Sequence, residues 1–161
     1  MALTKVIGSG IGTVTNQFAD GNMATGSVLQ VVQQSQVTRY AVSSTSYSAM
    51  FTASITPSST SSKILVSING GMYNPDNYGV VTVFRGTTSG TDLSGGGTYG
   101  LVMVSDAFIA TVGSSVLDSP STTSATTYTA ALKALSGTAT FGENTSYSHL
   151  TLMEIAGWQM L

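Results

Sequence analysis

The sequence predicts an all-β protein: an antiparallel β-sandwich of jelly-roll type preceded by an extended N-terminal arm. Three observations predict it. Short runs of β-branched and aromatic residues with period-two alternation recur along the chain, separated by Gly, Pro, Ser and Asp clusters at the spacing of a sandwich. One short stretch alone, Ala130 to Leu135 (AALKAL), prefers helix by propensity, and it is too short to stand as an independent helix. The first 25 residues hold too few apolar side chains for a core and too many for a solvated tail.

That arm, residues 1–25, carries Gly8, Gly10, Gly12, Gly21 and Asn22 among the isolated apolar residues Val6, Ile7, Ile11, Val14 and Phe18. A segment of this composition orders only against another surface. The five apolar residues are therefore the expected anchoring contacts to a partner; the other reading is an N-terminal strand added to the domain's own sheet. The globular domain is expected over residues 26–161.

From Ser27 to Gln33 the alternation becomes strand-like, with apolar residues on both faces at the start, before the polar SQVTRYAVSS. The centre of the domain is Ser48 to Ile68. Phe51, Ala53 and Ile55 occupy one face of a strand and Ile64, Val66 and Ile68 one face of the next. PSSTSS between them must turn, since Pro57 offers no ladder donor and the serines bond locally to backbone. Two antiparallel strands are marginal alone and call for more sheet and a second layer.

The run YGVVTVFRGT from Tyr78 to Thr87 is a further strand, followed by the glycine-rich loop SGTDLSGGG, in which Gly95 to Gly97 cannot be the interior of any element and mobility is expected. Strands over Thr98 to Ser105 and Phe108 to Val116 come next. LDSPSTTSA connects to a strand from Thr127 to Leu132, with AALKAL read as its continuation, and Ser148 to Trp158 supplies the closing strand. The expected buried residues are Phe51, Ile55, Ile64, Val66, Ile68, Val81, Val83, Leu150 and Leu152.

Composition narrows the chemistry. Of 161 residues, 42% are hydrophobic and only 7% charged, while Ser and Thr supply roughly three in ten, so the polar surface is hydroxyl and amide. Folding a chain of this length buries roughly 70% of its extended surface, enough for one core. A net charge of −2 gives no field to attract nucleic acid or anionic lipid, and neither is an expected partner. With no cysteine, disulfides, thiolate metal sites and thiol nucleophiles are excluded, in keeping with synthesis in a reducing cytosol. The start, MALTKVIGSGIG, has no unbroken apolar h-region, and the longest apolar runs fall short of a membrane span; neither secretion nor membrane insertion is expected.

No constellation for catalysis, cofactor or metal emerges. His149 is the single histidine and cannot build an intrachain zinc site or a recognisable triad; a trimer would bring three copies toward an axis, while a lone sheet-surface residue is the simpler reading. Asp76, Asp92, Asp106 and Asp118 fall at loops or strand ends, where Asx bonding places them, without a calcium-loop pattern. Gly8 to Gly12 (GSGIG) lacks the Lys and Ser/Thr of a phosphate loop. Asn144 to Ser146 forms a glycosylation triplet that has meaning only on secretion. Tyr73, Tyr78 and Tyr99 are a candidate exposed contact patch for sugar or protein, with ordinary loop packing as the alternative.

Four phrases carry a resemblance: TGSVLQVVQ (Thr25 to Gln33), ASITPSSTSSKILV (Ala53 to Val66), LDSPSTTSATTYT (Leu117 to Thr129) and LTLMEIAG (Leu150 to Gly157). As a set they are similar to a family of small β-rich virion modules of tailed bacteriophages, many from aquatic hosts, found in fibre-like and other surface-exposed virion proteins. The resemblance covers nearly everything after the arm. It implies a non-enzymatic structural role on the virion exterior, no catalytic residues to carry over, and a homotrimer, which so weakly charged a surface also favours. An arm of about 25 residues reaches at most roughly 80 Å, too short for a fibre rod but suited to crossing neighbouring subunits. The expectation is therefore a trimeric capsid decoration or cement protein, with the major capsid protein as the expected partner. The alternative is a short tail fibre or receptor-binding tip, which would add a host surface glycan or receptor. A glycan-degrading enzyme ranks third, because seven scattered carboxylates do not suggest paired acids in one cleft.

Overall fold

The computed structural model describes residues 23–73, 78–105, 109–142 and 147–157, and among them it is all strand and connection, without helix. Eleven strands form: β1 (Val28–Gln36), β2 (Tyr40–Val42), β3 (Ser48–Ile55), β4 (Lys63–Tyr73), β5 (Tyr78–Arg85), β6 (Thr91–Asp92), β7 (Val102–Ser105), β8 (Ile109–Asp118), β9 (Thr126–Ala134), β10 (Ala139–Phe141) and β11 (Ser148–Ile155). The arm residues Val6, Ile7, Ile11, Val14 and Phe18 lie outside the described residues, as do Gly8 to Gly12, Asp76, Asp106, the triplet at 144–146 and Trp158.

All pairings are antiparallel. In the first sheet β1, β11, β4 and β8 lie side by side, and the far end of β4 turns from β11 to pair with β10, which carries β2. In the second sheet β3, β9 and β5 are neighbours, and the outer edge of β5 is shared by β7 and β6. The period-two pattern of β3 and β4 sends Phe51, Ala53 and Ile55 from one sheet against Ile64, Val66 and Ile68 from the other. Val81, Val83, Tyr128, Ala130, Leu132, Leu150 and Leu152 complete the same core. Every residue expected to be buried is buried. AALKAL lies in the sheet as far as Ala134, as its strand-like neighbours imply.

Three details depart from the pattern read in the sequence. The alternation in β1 is broken by a bulge between Val28 and Gln30, so that Val28 opposes Ile155 and Val31 opposes Met153, while Gln30 turns inward beside Glu154 and Val32 beside Leu152. The loop after β5 is not free of structure: Thr91 and Asp92 pair with Arg85 and Phe84, and Leu93 and Leu101 donate to the carbonyls of Val83 and Val81. The edge strand along β5 thus runs from β6 to β7 with an excursion over residues 94–100. β2 and β10 are additional short strands that close the far end of the first sheet.

Candidate functional site

Ile64 is flanked in the first sheet by two acids, Glu154 on β11 and Asp118 on β8. All three side chains lie in one row on the inner face, at the end of the sandwich where the β3–β4 and β8–β9 connections gather. Glu154 is fully buried. Gln30 Nε2 donates to its Oε2 at 2.6 Å, and the Ser58 backbone N–H and hydroxyl both donate to Oε1 at 2.7 Å. Gln30 also donates to the Thr56 carbonyl, so the serine-rich turn is held by the first strand and the last. Burial pushes the Glu154 carboxyl up, but the donors around it, Gln30 first and then Ser62 and Ser58, together outweigh it, and its pKa lies below the usual carboxylate value.

Asp118 serves a separate set. Arg85 Nη1 donates to both of its oxygens, at 3.0 and 3.1 Å, and to the Ser119 carbonyl at 3.1 Å, while the buried Tyr128 hydroxyl donates to Oδ2 at 2.7 Å. Burial first, and then the bond to Asp118, push the Tyr128 phenol far up, so it is a permanent donor. This cluster ties β5, β8 and β9 together across the open side of the sandwich. Replacing Tyr128 by Phe keeps the ring and removes one charge-assisted bond; a loss of about 1–2 kcal/mol is expected in denaturant unfolding, with the slope unchanged.

Asp92, expected in a loop, is the hub of the 94–100 excursion. Its Oδ1 accepts from Thr82 Oγ1 at 2.7 Å and from the Ser94 N–H and hydroxyl at 2.9 and 2.8 Å. The excursion covers the outer face of the second sheet closely enough that a Cβ on Gly100 would lie 2.7 Å from Val80 Cγ1 and 2.9 Å from the Tyr47 hydroxyl. Tyr47 stands edge-on to Phe84 at 5.3 Å, with Lys133 Nζ 4.3 Å above its ring. Burial, followed by the Asp92 charge, pushes the Tyr47 phenol up to about 12.

The candidate tyrosines fall in different places. Tyr73 ends β4 in the first sheet, Tyr78 begins β5 in the second, and Tyr99 is exposed in the excursion. Among the described residues no ring contact joins any two of them. His149 lies on the outer face of the first sheet, its Nδ1 2.8 Å from Gln33 Nε2 and 3.0 Å from Ser35 Oγ, stacked on the exposed ring of Tyr147. Among the described residues no group of three or more His, Asp or Glu is placed to share a metal ion. No family model matches the chain, and no curated protein matches it.

The Glu154 site was missed in reading the sequence, although its signal was present. Leu150 and Leu152 define the inner face of β11, and the same alternation continues to Glu154.

Proposed function

We propose that this chain is a non-enzymatic structural protein of a bacteriophage virion: a homotrimeric decoration or cement protein on the capsid exterior, with the major capsid protein as partner. The observation that carries the proposal is the strand order. β1-β11-β4-β8 in one sheet faces β3-β9-β5-β7 in the other. We read these eight strands as the two Greek keys of a jelly roll, an architecture used by viral capsid and lectin domains. Fold alone does not choose among such roles. The phrases that resemble phage virion modules lie on β1, β3–β4, β8–β9 and β11, and so span both sheets. The two buried carboxylates support a non-catalytic reading, because Gln30 and Ser58 occupy one and Arg85 and Tyr128 the other.

In this proposal residues 1–25 are the anchor, with Val6, Ile7, Ile11, Val14 and Phe18 buried against other virion subunits. Three linked arms would raise the effective concentration of each for its site. The exposed rings of Tyr99 and Tyr147 favour the second reading, a receptor-binding fibre tip. The two are separated by adding purified protein to particles that lack it and imaging its density. Full-length chain is expected on the head, and chain lacking residues 1–25 is expected to stay folded but unbound. Density at the tail tip would replace decoration by the fibre reading, and undiminished binding by the truncated chain would move the anchor to the globular domain.

A further inference from the structure

We infer that the outer face of β1, β11, β4 and β8 is the surface through which copies of this chain meet. The inference rests on the self-association in the proposed function, not on the virion role. One row runs straight across this face: Val31 opposes Met153, Met153 opposes Leu65, and Leu65 opposes Leu117. The bulge in β1 adds Val28 beside it, opposite Ile155. Six apolar side chains therefore form one band the full width of the four strands. Val28, Val31 and Leu117 are 51%, 55% and 57% exposed. Scattered single exposures need no explanation, but a contiguous apolar band marks an interaction site.

The contrast with the other sheet is direct. Val80, Thr82 and Phe84 on the outer face of β5 are buried under the protein's own excursion and Tyr47. Over the first sheet the described residues supply no such cover.

Three properties of the face select a second copy as occupant. Beside the band runs a row of neutral polar residues, Gln33, Thr151, Ser67 and Ser115, in which Ser67 and Ser115 already hydrogen bond to each other at 2.7 Å. Along the paired rows the outward residues include Lys63 and His149 but no acid, so a strongly charged partner finds little to pair with, whereas a second copy of so weakly charged a face meets little repulsion. Four strands at about 4.8 Å spacing and roughly seven residues of length make a face of about 450 Å². In a closed ring of three, each copy divides this face between two neighbours, so that about 450 Å² is buried per contact and roughly 1,350 Å² in all. The band also ends in different residues, Val31 on β1 and Leu117 on β8. A contact between the Leu117 side of one copy and the Val31 side of the next is head-to-tail, the kind that closes into a ring such as a trimer.

The test is sedimentation equilibrium of the full chain at micromolar concentration, comparing wild type with the double variant Val31→Lys, Leu117→Lys. Both positions are outside the core, so unchanged far-UV dichroism and thermal transition are expected of the isolated fold. Wild type is expected at three times its 16.5 kDa mass. The double variant is expected to weaken association by about 100-fold or more, because each ammonium would be buried without a partner. Tyr99→Lys, on the covered sheet, is expected to leave association intact. A multimeric wild type with an equally multimeric, folded double variant would overturn the assignment of the face while leaving self-association standing. A monomeric wild type would overturn both. A monomer that begins to associate once residues 1–22 are removed would show that the chain covers this face itself, and would also overturn the inference.

Discussion

Glu154→Ala is expected to lower the unfolding free energy by about 2–4 kcal/mol, the range for leaving several buried donors without an acceptor. For a chain of this length, that corresponds to a fall in Tm of roughly 5–15 °C. The cause is positional. Glu154 joins β1, β11 and the β3–β4 turn through hydrogen bonds, via Gln30 and Ser58. Glu154→Gln preserves shape but presents an amide NH2 to groups that are themselves donors, so it should recover only part of the loss.

The pH dependence follows with a definite sign. The folded-state pKa of Glu154 lies below its unfolded value, so the carboxylate's stabilisation is fully present above the ordinary Glu range near 4.5 and is lost as pH falls through the lower, folded value. Wild type should therefore lose stability relative to Glu154→Gln on acidification below about pH 4.5, and the two curves should run parallel above about pH 6. Urea midpoints at a series of pH values measure this. Parallel curves throughout would mean that the carboxylate is not the acceptor at neutral pH.

β3, β4 and β11 were legible because each presents one face to a core, and burial enforces period two around Phe51, Ile64 and Leu150. β5 and β9 are buried on both faces and were legible instead as runs of β-branched and aromatic residues. β2, β6 and β10 have three, two and three residues, too few for any period to appear. They exist because longer strands offer them an edge: Thr91 and Asp92 pair only where β5 outruns β7, and Ala139 to Phe141 only where β4 outruns β11. The bulge in β1 is similarly tertiary. Nothing in VLQVVQ says that Leu29 is the extra residue, yet this sets which face Val28 occupies, and with it the width of the apolar band. The acids show the two limits of such reading. Asp118 sits at a strand end as its sequence context implies, but Arg85 lies 33 positions away, and their meeting depends on the fold.

Phe141→Ala is expected to cost about 3–5 kcal/mol, at the large end for a single core truncation. Its ring is fully buried on one of the short strands that sequence alone did not reveal. The ring passes directly over the backbone of β4 at Gly70, where a Cβ would lie 2.6 Å from Phe141 Cζ and 2.8 Å from Ser148 Oγ. Gly70 therefore has to lack a side chain for a steric reason, and its substitution and that of Phe141 cannot be independent. Gly70→Ala alone should destabilise by about 1–3 kcal/mol through overpacking. In the Phe141→Ala background the clashing ring is gone and only the Ser148 hydroxyl, which must rotate away, still opposes the added methyl, so Gly70→Ala should cost less than it does in the wild type. A double-mutant cycle on urea unfolding should therefore give a coupling energy of about 1–3 kcal/mol, with the double variant more stable than additivity allows. Additive losses would mean that β10 does not lie against β4 in this register. The same cycle tests whether the far end of the first sheet, where β10 and β2 close over Met72 and Tyr73, belongs to the cooperative core or opens separately from it.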